Sequence, residues 1–383
     1  MLYYLTQHLL EATRGTEWGN FLSGLRVFQY ITFRSAGAAI TALLLSLALG
    51  PRVIRVLAAK GFRQDYVDEA RQAEELRDTA HLKRGVPTMG GLLIVVVIDL
   101  TALFWAQWNK LVVLTLVPLL GLAALGCYDD YAKLVRQHGG GGVTERAKLI
   151  VQTGLALFIA LYLWRLEETH TLVADLMIPF FKNPILTGVP VLGVLLTVAT
   201  IVGSSNAVNL TDGMDGLAIG CTLIVTAVFL VLTYVAGHRV IAEYLNVPRV
   251  PGAGELTVVC SAMFGASLGF LWFNCHPAEV FMGDTGSLAL GGVLGIIAVL
   301  IHQPLVLFIA GGVFVMEVVS VMLQRGYFKY TRRRTGEGRR IFLCAPLHHH
   351  FEKKGWAESQ VVTRFYILGV FFGVLALATL KLR

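Results

Sequence analysis

Three clusters of acidic and amide side chains stand where long apolar runs end. They are Tyr128-Asp129-Asp130, Asn209-Leu-Thr-Asp212-Gly-Met-Asp215-Gly and Asn274-Cys-His-Pro-Ala-Glu-Val-Phe281-Met-Gly-Asp284-Thr-Gly. Carboxylates at a membrane edge are costly to keep and tend to mark a site. Oxygen ligands of this kind suit a hard divalent cation and a phosphate-bearing substrate. Lys133 follows Asp129 by one helical turn and can pair with either aspartate of the first cluster. If the second cluster is helical, Asn209, Asp212 and Asp215 share one face. In the third, small residues around Asp284 let backbone amides approach a phosphate, and Phe281 offers a ring for a nucleobase.

Each cluster also has a plainer explanation. Asp129 and Asp130 can form a solvated helix end. Asp212 can cap the helix that follows, with Gly213 and Gly216 easing the turn. Asp284 can cap its own helix while Phe281 anchors the membrane interface. It is their common placement that favours chemistry, because independent accidents would have to put all three at one face.

Two further stretches belong with them. Pro346-Leu-His348-His349-His350-Phe351 is a run of imidazoles. Consecutive residues seldom all reach one metal, and no second Cys/His group stands at a ligand spacing. Donors to pyrophosphate oxygens therefore suit the run better than zinc does. Lys83-Arg-Gly-Val-Pro-Thr88-Met-Gly-Gly91 opens an apolar run. It reads either as a positive anchor with a proline helix start or as a lysine over a nucleotide diphosphate.

The elements that must position these residues are membrane helices. The chain has 383 residues, 55% of them hydrophobic and only 15% charged, with a mean hydropathy of +0.66. Soluble domains carry roughly 25% charged residues. The expected fold class is all-α, a polytopic membrane protein of about ten transmembrane helices forming one domain over residues 1–383. The spans are 28–50, 87–108, 111–127, 147–164, 189–208, 214–235, 256–274, 287–303, 305–326 and 361–380. Arg34 inside the first, and the Gln303-Pro304 break between two others, make these the least regular. Residues 1–25, with Trp18 and Phe21, fit a short interfacial helix, and no removable signal peptide is evident.

The formal charge of +7 gathers in segments 51–86, 128–148 and 327–360. Positive loops face the cytoplasm, so the charge reports topology rather than nucleic acid. An even helix count then puts both termini in the periplasm. Segments 51–86, 128–148, 209–216, 275–286 and 327–360 become cytoplasmic loops that form the site. The five cysteines lack metal or disulfide spacing and read as packed thiols.

Taken in order, the Pro87-Thr-Met-Gly-Gly, Tyr128-Asp-Asp, Asn209–Gly216, Phe281–Gly286 and Leu347-His-His-His-Phe-Glu352 segments resemble the phospho-N-acetylmuramoyl-pentapeptide transferases of bacterial cell-wall synthesis. This family lies within the wider polyprenyl-phosphate N-acetylhexosamine-1-phosphate transferases. The aspartate clusters are similar to those of the whole superfamily, and the Pro-Thr-Met-Gly-Gly and His runs to those of the muramoyl branch. Val86 departs from the expected Thr.

The resemblance implies a ten-helix homodimer in the bacterial cytoplasmic (inner) membrane, with a Mg²⁺-dependent site on the cytoplasmic face. Its substrates would be UDP-N-acetylmuramoyl-pentapeptide and undecaprenyl phosphate, its products lipid I and UMP. By position, Asp284 would be the magnesium ligand and Asp129 and Asp130 the catalytic pair. Lys83, Asn209, Asp215, Asn274 and Phe281 would lie on the nucleotide side, and His348 and His349 would contact pyrophosphate or sugar. Thr88, Lys133, Asp212 and His350 are further candidates for substrate binding.

The reaction joins two anions, so charge is the main barrier. A phosphate monoester has a second pKa of about 6 and needs little help from a base. Direct attack of the lipid phosphate on the sugar-bearing phosphorus is expected, ahead of a covalent aspartyl intermediate. The rival classes are a sister transferase using UDP-N-acetylglucosamine and a secondary transporter. A transporter calls for charge near the bilayer midplane, where only Arg34, Asp99 and Glu317 qualify.

Overall fold

A computed structural model describes residues 1–16, 22–62, 85–135 and 142–381. Lys83, Trp18, Phe21 and several basic residues of the 51–86 segment lie outside the described residues. Every named element is helical. In chain order the helices are α1 (Leu2–Ala12), α2 (Ile31–Ala59), α3 (Gly91–Trp105), α4 (Lys110–Val135) and α5 (Glu145–Arg165). They continue with α6 (His170–Ala174), α7 (Pro190–Thr211), α8 (Leu217–Gly237), α9 (Arg239–Tyr244) and α10 (Gly254–Asn274). The last are α11 (Gly283–Leu300), α12 (Pro304–Ala310), α13 (Gly312–Thr335), α14 (Leu347–Lys353) and α15 (Glu358–Ala378).

Among the described residues, eight helices are long and apolar enough to cross a membrane, and nine if α12 and α13 together make one span. The chain is a membrane protein. Large apolar side chains such as Ile40, Val117, Ile150, Phe158, Trp272 and Phe371 are exposed on its flanks, as lipid contact requires.

Two expected spans differ from the helices observed. The 305–326 span is not straight: α12 and α13 meet at Gly311-Gly312 with a bend of 83°, and paired small residues are a usual cause of sharp kinks. The 87–108 span holds a helix of only 15 residues, α3. Its first turn is lost because the preceding backbone pairs elsewhere. Phe281 N–H donates to Pro87 O at 2.8 Å, and Gly90 N–H returns the bond to Phe281 O at 2.8 Å.

The expected loops also shrink. Helix α4 runs through Asp129 and Asp130 to Val135, α13 runs to Thr335, and α14 and the start of α15 lie within 327–360. Charged residues at these ends keep the backbone helical past the apolar stretch, so hydropathy alone ends each helix too early.

Helix α11 is the axis of the bundle, with nearly every residue buried. It packs between α4 and α7, while α10 packs along α2 and α8. Small residues permit this closeness, as is usual between membrane helices. At Gly126 of α4 any side chain would run into the Asp284 backbone.

Arg34 does not break its helix. It is 1% exposed and forms a bidentate pair with Glu255 of α10, at 2.5 and 2.6 Å. Gln107 N–H also donates to Glu255, at 2.8 Å. The pair lies at the starts of α2 and α10 and the end of α3, opposite the end that carries Asp129 and Asp284. Helix α1 docks at the same far end, where the Met1 amine donates to the carbonyls of Leu103 and Phe104. All five cysteines are free thiols.

Candidate active site

The site begins with the junction of α4 and α11. Asp130 accepts the Asp284 N–H on Oδ1 at 3.1 Å and the Thr285 N–H on Oδ2 at 3.0 Å. The Thr285 hydroxyl adds a third bond, at 2.7 Å. A carboxylate from one helix thus satisfies the open N–H groups at the start of another. Gly283 takes a left-handed φ of 71°, and a side chain there would strike Asp130. This turn brings Asp284 beside Asp129, and ligand oxygens of Asp129, Asp130 and Asp284 all lie within 4.8 Å of one another.

Three carboxylates this close repel unless cations intervene. Lys148 Nζ lies 2.6 Å from Asp129 Oδ2 and 2.6 Å from Asp284 Oδ2. Lys133 Nζ lies 2.9 Å from Asp129 Oδ2 and 3.3 Å from Asp284 Oδ2. Asp129 Oδ1 accepts the Val143 N–H at 2.6 Å. The donor set is all oxygen and anionic, which fits a hard divalent cation. Thr88 completes this corner. It is 2% exposed, its hydroxyl has no hydrogen-bond partner among the described residues, and it faces Gly283.

The segment 274–283 leads from this junction to a second cluster. Asn274 Oδ1 accepts the Gly216 N–H at 3.1 Å, and its amide donates to Val280 O at 2.8 Å. Asp215 Oδ2 sits 3.0 Å from His276 Nδ1 and accepts the Ala278 N–H at 3.2 Å. Glu358 accepts the Asp215 N–H at 2.8 Å. Asp215, His276 and Glu358 form a second group whose ligand atoms converge within 4.8 Å. Phe281 is 9% exposed and held on both backbone sides by the Pro87–Gly90 segment.

Helix α7 ends at Thr211, so Asn209 lies within it while Asp212 and Asp215 lie beyond. The three do not share a helical face. Gly216, not Asp212, stands at the N-cap of α8. Asn209 and Asp212 are half-buried.

The His run is helical, in α14, and its members diverge. His348 is 1% exposed, with Nδ1 3.2 Å from Glu317 Oε1 and its other edge against Gly213. Burial pushes its pKa below the ordinary value, and the Glu317 carboxylate works against that shift. Glu317 also accepts the Leu347 N–H at 2.7 Å and the His348 N–H at 3.2 Å. His349 pairs with Glu352 at 3.0 Å, and His350 Nδ1 accepts the Leu343 N–H at 3.1 Å. Among the described residues no metal-ligating group includes any of the three.

Sequence reasoning did not single out Lys148, Thr285, His276, Glu358 or Glu317 as residues of this site. Lys148 carried a signal: a lysine in the first turn of a helix opposes the helix dipole and calls for a nearby anion. His276 stood inside the third cluster. Glu358 and Glu317 meet the site only through tertiary contact.

The model of glycosyl transferase family 4 matches residues 112–302. The first signature of phospho-N-acetylmuramoyl-pentapeptide-transferase matches residues 83–95. The phospho-N-acetylmuramoyl-pentapeptide-transferase of Desulfotalea psychrophila is 48% identical over 365 residues, covering 94% of this chain and 96% of the relative. That of Methylacidiphilum infernorum is 44% identical over 387 residues, with both chains fully covered. The chain belongs to the phospho-N-acetylmuramoyl-pentapeptide transferase family.

Proposed function

We propose that this protein transfers phospho-N-acetylmuramoyl-pentapeptide from UDP-N-acetylmuramoyl-pentapeptide to undecaprenyl phosphate, giving lipid I and UMP. The observation that carries the reading is the junction of Asp129, Asp130 and Asp284, knitted by Lys133 and Lys148 at one end of a membrane bundle. The loops rich in Lys and Arg support a cytoplasmic position for that end at the inner membrane, and both termini in the periplasm follow if the short α3 also crosses and α12 and α13 make one span. The same reading carries the homodimer that the resemblance implies.

Asp284 and Asp129 would hold Mg²⁺, which supplies charge neutralisation at the diphosphate. The chain's own residues do the rest. Lys133 and Lys148 offset the charge of the two phosphates. Asp130 fixes the start of α11 and so sets where Asp284 stands. A lipid phosphate oxygen attacks the sugar-bearing phosphorus, and the bond from that phosphorus to the bridging oxygen breaks to release UMP. Both oxygens of Asp130 are already held by α11, and Asp129 is held by two lysines and a backbone amide. That engagement supports direct attack over a covalent aspartyl intermediate.

On the nucleotide side, Asp215, Asn274, Phe281, Asn209, Asp212, Thr88 and Lys83 would hold the uridine and ribose. His349 and His350 would face the phosphate or sugar, and His348 would set their helix against Gly213. The test is UMP release by the purified protein from UDP-N-acetylmuramoyl-pentapeptide, with lipid phosphate and Mg²⁺ each present or omitted. Release that needs both supports the reading. Release with UDP-N-acetylglucosamine alone overturns the substrate, and release without lipid phosphate restores the covalent scheme.

A further inference from the structure

Helix α5 lies at the edge of the bundle, with Leu149, Ile150, Val151 and Phe158 exposed. It packs mainly on α7, which packs in turn on α11. The buried residues of α5 are Gln152, Ala156, Ile159, Ala160 and Leu163. Gln152 is the one nearest the aspartate junction, and the only polar one. Lys148 stands one turn before it. Between the start of α5 and Gln152 no buried residue anchors the helix.

The Gln152 amide is the middle of a hydrogen-bond chain. Asn206 Nδ2 donates to Gln152 Oε1 at 2.8 Å, and Gln152 Nε2 donates to Ser205 Oγ at 3.0 Å. The Ser205 hydroxyl donates to Leu288 O at 2.8 Å. All three bonds run in one sense, so each polarises the next. The chain joins α5, α7 and α11 at a single level. About one turn closer to the junction, these helices carry Lys148, Asn209 and Asp284 respectively. Gly291 permits the close approach of α7 to α11, since a side chain there would strike the Ser204 carbonyl.

We propose that Gln152 is a positioning residue of the transferase: it fixes the register of α5 on α7 and α11, and so places the Lys148 ammonium between Asp129 and Asp284. The inference rests on the transferase reading above. The apolar contacts of α5 are non-directional and tolerate sliding. An apolar side chain would fill the Gln152 position, whereas a buried amide is costly unless its partners are in place. A slip of one residue shifts a helix by about 1.5 Å and turns it by about 100°. Lys148 Nζ, 2.6 Å from each carboxylate, would lose both contacts.

The experiment is a double-mutant cycle between Gln152→Met and Lys148→Met in the full-length protein. Gln152→Met keeps the shape and removes both hydrogen bonds. The kcat and KM for UMP release are measured below the unfolding midpoint of every variant. Mn²⁺ binding to the purified proteins is followed by electron paramagnetic resonance. Gln152→Met alone is expected to lower kcat about tenfold, with the nucleotide-sugar KM within about twofold of wild type. It is also expected to lower the apparent Kd for Mn²⁺, because a displaced ammonium competes less for the carboxylates. In the Lys148→Met background, Gln152→Met is expected to change neither kcat nor Mn²⁺ binding by more than about twofold. Ser205→Ala breaks the same chain from α7 and is expected to give the same non-additive pattern, which carries the test if Gln152→Met does not fold.

A chain that served stability alone would lower the unfolding midpoint and leave kcat near wild type, and that result overturns the proposal. So does a tenfold loss that persists in full when Lys148 is already replaced, since Gln152 would then act elsewhere. If the wild type releases no UMP, the transferase reading fails, and the Mn²⁺ cycle still decides whether Gln152 places Lys148. A wild type that neither turns over nor binds Mn²⁺ overturns both.

Discussion

Thr285 gives Asp130 two hydrogen bonds at once, from its backbone N–H at 3.0 Å and its hydroxyl at 2.7 Å, both to Oδ2. One aspartate of the expected catalytic pair is thereby committed to holding a helix start. Asp284 stands one residue before Thr285, so its position beside Asp129 and the lysines depends on this bond. The cluster is then built in two layers: Asp130 with Thr285 sets the helix start, and Asp129, Asp284, Lys133 and Lys148 form the ion pairs beside it.

Replacing Thr285 with Val removes the hydroxyl and keeps the shape. A hydrogen bond to a charged group is worth about 1.5–3 kcal/mol. If that loss falls on the placement of Asp284, kcat/KM for UMP release drops roughly 10- to 100-fold. Thr285→Ser keeps the donor and is expected to stay within a few-fold of wild type. Equal rates for Thr285→Val and wild type would remove this bond from the site's architecture.

The sequence displayed the carboxylates and most of the helices because both leave local marks. Apolar runs reveal spans, and acidic residues at their ends stand out against lipid. The pairing of Pro87–Gly90 with Phe281 left no such mark, since it joins segments nearly two hundred positions apart through backbone atoms. Glu317 looked like a stray charge inside a span, yet it caps α14 from another helix. Arg34 looked like a defect until Glu255 of α10 was placed against it. What stayed hidden was which buried charge meets which, a matter of packing rather than of pattern.

Lys148 holds Asp129 and Asp284 together where a cation would otherwise be needed. Lys148→Met is expected to lower kcat by about 100-fold through lost charge stabilisation. It should also lower the apparent Kd for Mg²⁺, because the carboxylates lose a competing ammonium. A Mg²⁺ titration of UMP release reads both effects. A variant with a raised apparent Kd for Mg²⁺ and normal kcat contradicts the assignment.

The Arg34–Glu255 pair tests whether the far end of the bundle matters to chemistry. Removing one partner of a buried pair typically costs about 3–5 kcal/mol, since the other charge is left uncompensated. Glu255→Gln is expected to lower the thermal unfolding midpoint in detergent by several degrees or more. The kcat of the folded protein should remain near wild type. A fall in kcat at a temperature where the variant is fully folded would tie this end to the site.

Burial holds the His348 pKa below its ordinary value, which for histidine is about 6.5. The unfolded chain therefore takes up the proton before the folded one does. Stability from keeping His348 neutral is complete above the unfolded value and is lost as pH falls through the folded one. The Glu317 carboxylate narrows that window by favouring the charged ring. His348→Gln has no titrating group at this position. Its unfolding midpoint in detergent is expected to fall less than that of wild type between pH 7 and pH 5. Parallel curves for the two proteins over that range would show that the buried imidazole does not govern acid sensitivity.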